Sequence, residues 1–381
     1  MGNAGDVVLL IAGIALVIGT LGSAVRSTIL PRAVPVRVSR FINLSLRALF
    51  RLRAGRSPSY ERRDRVMASF GPTALLALLS VWMLMLLVAF VLMYLAVATH
   101  SITTAIELSG SSLFTLGTAV PHNLGPDLLS YGEAGLGLLL LTLLITYLPS
   151  IYTAFSRREN GVSLLRVRAG NPPRATTMLI RYHRIEDVNY RLSALWQTWE
   201  GWFADVEESH TSFSILAFFR SPQPEQSWIT AAGTLLDAAS LWVAVVDHPN
   251  DPDAQLCIRA GFLALQRIAT FYSIPFDTNP APGDPITISR AEFDQAMDEM
   301  ADAGMPLLPD RDAGWEAYRG WRVNYDTVLL NLARLVEAPP APWVSDRSPV
   351  RDNQTWTLRR ALTARPGGTN GTTRRSRSRR P

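Results

Sequence analysis

Residues 109–123 read SGSSLFTLGTAVPHN, a run of hydroxyls, glycines and a histidine set between two of the most apolar stretches in the chain. On one side lies TALLALLSVWMLMLLVAFVLMYLAVA (Thr73 to Ala98), on the other AGLGLLLLTLLITYLPSIYTAF (Ala134 to Phe155), and neither contains a charged residue. Each reaches the roughly 20 helical residues that cross the hydrocarbon of a bilayer. A third run of this kind, VVLLIAGIALVIGTLGSAV (Val7 to Val25), precedes them. Residues 109–123 are too polar to cross a membrane and too ordered in composition for a linker. How they are held between their flanking spans decides the fold.

Hydrophobic residues make up 48% of the 381-residue chain, but unevenly. Residues 1–155 are rich in Leu, Val, Ala and Met, whereas 156–365 have the composition of an ordinary soluble protein rich in Trp and Asp. The formal charge is +5, and all 37 basic residues are Arg, a bias we ascribe to a GC-rich genome. The single cysteine, Cys257, excludes an internal disulfide and fits a reducing compartment. There is no His/Cys cluster with zinc spacing, no nucleotide-binding glycine fingerprint after a strand, and no nucleophile paired with a base, so no enzyme is expected.

Orientation follows from charge. Between Arg26 and Arg65 stand 11 arginines against two acids, and RRENGVSLLRVR follows the third span, while residues 100–132 hold no Arg. Basic loops stay in the cytoplasm. The expectation is a multi-pass protein of the inner (plasma) membrane, its N-terminus outside and its C-terminal domain cytoplasmic. MGNAGD lacks the basic start of a signal peptide, so the first run reads as a retained span.

Within the inner loop, VRVSRFINLSLRALFRLR (residues 36–53) is amphipathic. On a helix, Arg37, Arg40, Arg47 and Arg51 fall in one sector, opposite Val38, Phe41, Ile42, Leu46, Leu49 and Leu52. This predicts a helix on the anionic inner leaflet with those arginines toward lipid. The alternative is a cytosolic helix packed on the C-terminal domain. AGRSPSYERRDR then reads as an exposed turn.

In the outer segment, SITTAIELSGSSLF predicts a short helix starting near Ser101 or Thr103 as N-cap, and TLGTAVPHNLGP an irregular return path. Irregular backbone at membrane depth survives only where protein shelters it or it lines a water-filled cavity. The order of span, short helix, Thr115-Leu116-Gly117 and span resembles the pore module of two-transmembrane potassium channels, whose filter reads T-V-G-Y-G. The resemblance implies a tetrameric cation channel with a filter at Thr115, Leu116, Gly117 and Thr118 and a monovalent cation as its only bound group. Thr118 stands in place of the family's aromatic, Ala119 in place of its second glycine, and Val120 in place of an acid. SSLFTLG is also similar to uncharacterised actinobacterial pore-loop membrane proteins.

In the third span, Thr142, Thr146, Ser150 and Thr153 share a helical face, readable either as a pore lining or as hydroxyls bonded back to their own helix. Pro149 predicts a kink where a gate would sit, and Glu133 an acid at the outer mouth.

The organisation expected is all-α: a first transmembrane helix (1–26), an Arg-rich loop (27–72), a second transmembrane helix (73–99), a re-entrant loop (100–132), a third transmembrane helix (133–155), a cytosolic helical domain (156–365) and a disordered basic tail (366–381). The cytosolic helices are placed at Ile185 to Phe219, Gln226 to Val246, Ala254 to Ser273, Arg290 to Ala303 and Trp315 to Leu335. Glu207, Glu208 and His210, and separately Asp247, His248, Asp251 and Asp253, read as structural or solvated groups. Trp196, Trp199 and Trp202 read as bundle core or an interface. Beside a cation channel stands a second reading, a non-conducting membrane anchor with a vestigial loop and a Trp-rich domain that binds a protein partner. Nucleic acid is not expected.

Overall fold

The computed structural model describes residues 4–28, 37–55, 60–185, 188–248 and 250–348. The described residues form an all-helical protein: α1 (Ala4–Thr28), α2 (Arg37–Ala54), α3 (Tyr60–Ala68), α4 (Phe70–Val97), α5 (Ile102–Leu113), α6 (Leu124–Ala169), α7 (Ala175–Ile185), α8 (Val188–Ser212), α9 (Trp228–Val245), α10 (Pro252–Phe271), α11 (Arg290–Asp302), α12 (Arg311–Arg322) and α13 (Asp326–Val336), with a 3₁₀ turn at Leu216–Phe218. Residues 349–365 of the expected cytosolic domain and the expected basic tail lie outside the described residues.

Four stretches are long and apolar enough to cross a membrane: Ala4–Thr28, Tyr60–Val97, Leu124–Ala169 and Trp228–Val245. Their surroundings separate them. The most apolar windows of the first three are 22%, 28% and 17% buried, whereas that of α9 is 94% buried within the protein's own helices. A span needs an uncovered apolar surface to give to lipid, and α9 has none left. It is instead the core around which α7, α10, α12 and α13 pack.

α1 lies along α4 by means of small residues. A Cβ on Gly13 would fall 2.5 Å from Met93 Cγ and 2.7 Å from the Ala89 carbonyl oxygen, so only glycine permits this approach. Lower down, Trp82 Nε1 donates to Ser23 Oγ at 3.2 Å.

Several boundaries differ from those read in the sequence. The third apolar helix begins at Leu124, not residue 133, and Gly125 and Pro126 sit in its first turn, where the missing proline N–H has no intrahelical partner to lose. It also runs past Phe155 without a break to Ala169, 46 residues in all. The supposed turn after residue 54 contains α3, whose Asp64 pairs with Arg220 at 3.2 Å. The expected helix Ile185 to Phe219 is found as α8 followed by the 3₁₀ turn, its residues 186–187 lying outside the described residues, and Trp315 to Leu335 is divided between α12 and α13, broken at residues 323–325.

That last break serves a buried cluster. Arg322, at the end of α12, donates to Asp237 of α9 through Nη1 (2.6 and 2.7 Å) and to Asp326 of α13 through Nε (2.8 Å), and Tyr325 Oη donates to Asp237 at 2.9 Å. Burial works against the Arg322 charge, but the two carboxylates outweigh it and raise its pKa well above the ordinary value. Replacing Arg322 with Gln strands two carboxylates, and a loss of about 3–5 kcal/mol is expected in chemical denaturation. At the surface, Arg347 and the Ser289 cap hold the Glu292 carboxyl at about 2 against the desolvation of its partial burial. This stabilisation is complete above the ordinary value of 4.5 and is lost as pH falls toward 2. Acid melting curves of Glu292→Gln are therefore expected to be flatter than wild type over that window.

Candidate functional site

The stretch that decides the fold closes a short helix and returns to a long one. α5 starts where its hydroxyl signal lies, with Ser101 Oγ accepting the Thr104 N–H at 3.4 Å. It ends in a Schellman arrangement: the Thr115 N–H donates to the Ser112 carbonyl (3.1 Å) and the Leu116 N–H to the Ser111 carbonyl (2.8 Å). The left-handed residue this cap requires is Thr115, with φ 54°, where glycine is usual. A β-branched residue in that region costs about 1–2 kcal/mol. Gly117 follows with φ 69°, while Leu116 and Thr118 are not positive, so backbone hand alternates along the four residues.

Three serines hold the segment. Ser111 Oγ donates to the Ala119 carbonyl (2.9 Å) and accepts its N–H (3.0 Å), pinning the return strand to the end of α5. Ser112 Oγ is 2.8 Å from Ser130 Oγ of α6 and 3.2 Å from the Tyr94 hydroxyl of α4. Ser109 Oγ lies 2.5 Å from Glu133 Oε1 and 3.2 Å from the Leu87 carbonyl oxygen. The sequence displays these hydroxyls as SGSS without saying that Ser109 and Ser112 clamp α4 and α6 while Ser111 clamps the return segment.

Depth comes from Leu113, the last residue of α5. It packs in one buried cluster with Trp82 and Leu86 of α4 and Leu140 of α6. Trp82 lies 15 residues before the end of α4 at Val97, about 22 Å along its axis at 1.5 Å per residue. Gly137 makes room for it, since a Cβ there would sit 2.7 Å from the Leu113 carbonyl oxygen.

The sequence-predicted site residues divide. Thr115, Leu116, Gly117 and Thr118 are brought together on an exposed segment, with Leu116 64% exposed. Thr142, Thr146, Ser150 and Thr153 share an exposed face of α6, but three of their hydroxyls bond back: Thr146 to the Thr142 carbonyl (3.1 Å), Ser150 to Thr146 (3.4 Å) and Thr153 to Pro149 (2.9 Å). Pro149 lies inside the continuous α6. Glu133 is not a solvated acid at a mouth: it is 0% exposed, behind α5.

The lipid-facing arginines are also corrected. The side chains of Arg37 and Arg40 lie outside the described residues. Arg47 is buried, donates to the Leu335 carbonyl and stands over the Phe218 ring (5.2 Å to the centroid), and Arg51 Nε donates to Glu337 Oε1 at 2.8 Å. Burial, then the neighbouring Arg51 charge, lowers the Arg47 guanidinium to about 10, with Glu337 opposing. The apolar face is divided: Phe41, Leu49 and Leu52 are exposed, at 68%, 59% and 79%, whereas Ile42 is buried and Leu46 packs against the cluster around Phe70.

The polar groups of the C-terminal half have structural work. His210 is buried against Trp228, with its Nδ1 2.8 Å from the Val206 carbonyl oxygen, and burial, followed by the Arg158 charge, holds it well below the ordinary histidine range. His248 stacks on Trp242 at 4.3 Å, and Asp251 caps α10. Trp196, Trp199 and Trp202 are all core residues, which removes them from any exposed partner surface. Sequence reading missed Arg158, which donates from α6 to the Leu216 and Phe219 carbonyls at 2.8 Å each and ties that helix to the 3₁₀ turn.

No protein-family model, curated protein or solved structure matches the chain. The site therefore rests on its own geometry. Gly137→Ala is expected to push α5 away from α6 at a cost of about 1–3 kcal/mol, read as a lower unfolding midpoint in detergent, with Gly132→Ala, whose Cβ meets nothing within 4 Å, as the control.

Proposed function

We propose that α4, α5, residues 114–123 and α6 form a membrane-embedded pore-loop module and that the protein acts as a tetrameric cation channel in the cell membrane, its N-terminus outside and its C-terminal helices cytosolic. The observation that carries this reading is the depth of Leu113. A helix end packed about 22 Å along α4 lies more than halfway through a hydrocarbon core of about 30 Å. Backbone at that depth needs protein around it, and residues 114–118 are exposed on a single chain. Neighbouring copies would supply the cover and close the path. The strained Thr115 is of the kind that clusters at functional sites. α2 would lie at the inner interface, its exposed Phe41, Leu49 and Leu52 in lipid.

One observation favours the second reading, a non-conducting membrane anchor that binds a protein partner. The hydroxyls of Thr146, Ser150 and Thr153 are engaged by their own helix rather than free to line water. Its partner surface would have to lie away from the buried tryptophans.

Liposome flux separates the two. Purified protein is expected to pass thallium or potassium, and Gly117→Ala to abolish the flux. A Cβ at Gly117 meets nothing within 4 Å, so the variant tests backbone conformation alone. Equal flux from both proteins overturns the filter assignment, and no flux from wild type favours the anchor.

A further inference from the structure

Three helices meet at one hydroxyl. Ser109 of α5 has a single proton, and its Oγ stands 2.5 Å from Glu133 Oε1 of α6 and 3.2 Å from the Leu87 carbonyl oxygen of α4. If Glu133 were charged, both neighbours would be acceptors competing for that proton. The other carboxyl oxygen, Oε2, is buried without a partner. No cation pairs with Glu133 among the described residues; the side chains that meet its carboxyl are hydroxyls, Ser109 of α5 and Tyr94 of α4. A carboxylate so placed would be desolvated, with only hydroxyls as donors and no counter-charge.

A proton on Oε1 removes the conflict. The Glu133 hydroxyl then donates to Ser109 Oγ, and the Ser109 hydroxyl donates to Leu87, giving one directed chain from α6 through α5 to α4. We propose that Glu133 is a proton-binding site whose bound proton, taken up from water, latches α5 to both flanking helices.

The titratable group facing the carboxyl from α4 is Tyr94. On α5, Glu107 is exposed, nearly opposite Ser109 on the helix. On α6, Asp127 and Tyr131 lie nearer its outer end, and α1 brings only the apolar Leu10, Val17 and Ala24 to the neighbouring clusters. His100 and His122 are exposed in the connections. Ser111 and Ser112 follow Ser109 on the same short helix and hold Ala119, Ser130 and Tyr94. Release of the latch therefore reaches residues 115–118. Only this consequence rests on the pore-loop reading; the proton site does not.

The test uses the full chain in detergent and requires no conduction. Infrared difference spectra of wild type and Glu133→Gln are expected to show a buried carboxylic-acid carbonyl band at neutral pH that fades as pH rises and is missing from the glutamine variant. The wild-type melting midpoint is expected to fall by a few degrees over the same pH rise, while Glu133→Gln, whose amide donates to Ser109 without titrating, stays level. Absence of the band at neutral pH, or parallel melting of the two proteins, overturns the proposal. If the glutamine variant does not fold, Ser109→Ala removes the acceptor instead. It is expected to shift the acid band and lower the midpoint at neutral pH only, and an unchanged band overturns the proposal. Loss of flux alone leaves both readouts standing, so failure of the channel reading and failure of this one are distinguishable.

Discussion

The seat of Leu113 between α4 and α6 is the constraint on which the first half of the molecule depends. It fixes where α5 ends, and so where the irregular backbone after it must lie. A glycine at 137 is what lets that end come close. The peptide groups that follow are then satisfied locally. The Thr115 and Leu116 N–H groups return to carbonyls of α5, and both polar groups of Ala119 go to one serine hydroxyl. A loop that satisfies its own backbone in this way does not need water at those positions, which is the condition for leaving it.

The second constraint is the length of α6. At 1.5 Å per residue its 46 residues span about 70 Å, more than twice the hydrocarbon thickness. Its far end is no free extension. Arg158 is buried and bonded to two carbonyls and to Glu159, Trp202 Nε1 donates to the Arg158 carbonyl at 3.2 Å, and a Cβ on Gly161 would collide with the Trp202 indole. Displacing α6 would break both of the Arg158 bonds to the Leu216 and Phe219 carbonyls, charge-assisted bonds stronger than an exposed ion pair. The exposed pair of Arg51 with Glu337 is a weaker link, whereas Arg47, buried at the Leu335 carbonyl, holds α2 firmly to the end of α13. The C-terminal helices are thus mechanically continuous with the helix that flanks the short one.

What the sequence made legible follows from which signals are local. Twenty apolar residues without a charge declare a span by themselves, and Ser101 declares a helix start because capping involves only the next few residues. Gly125 and Pro126 misled because the same residues that break a helix interior are harmless in its first turn. α2 misled differently. Its two faces were legible, but periodicity does not say which medium each face meets, and a carboxylate at Glu337, nearly 290 residues away, claimed the arginines. Glu133 was singled out as an acid, but its burial was not legible for a similar reason: it depends on α5 folding back across it. The break between α12 and α13 was hidden because it exists to aim Arg322 at Asp237, a contact between distant parts of the chain.

The two halves keep polar groups out of water by opposite means. In the C-terminal helices the answer is charge against charge: two carboxylates on one guanidinium, with tyrosine hydroxyls filling the remaining positions. Such a cluster tolerates burial because every member has a partner, and it also explains why α9, apolar enough for a membrane, belongs in a protein core: lipid offers Asp237 no counterpart. Among the apolar helices of the first half the answer is the hydroxyl, which donates and accepts at once and needs no counter-charge. Serine clamps can therefore join α4, α5 and α6 without introducing a single arginine. The exception is Glu133, an acid embedded among hydroxyls, with an oxygen left over. Among the described residues the other buried carboxylates are paired with cations, whereas Glu133 is met by hydroxyls.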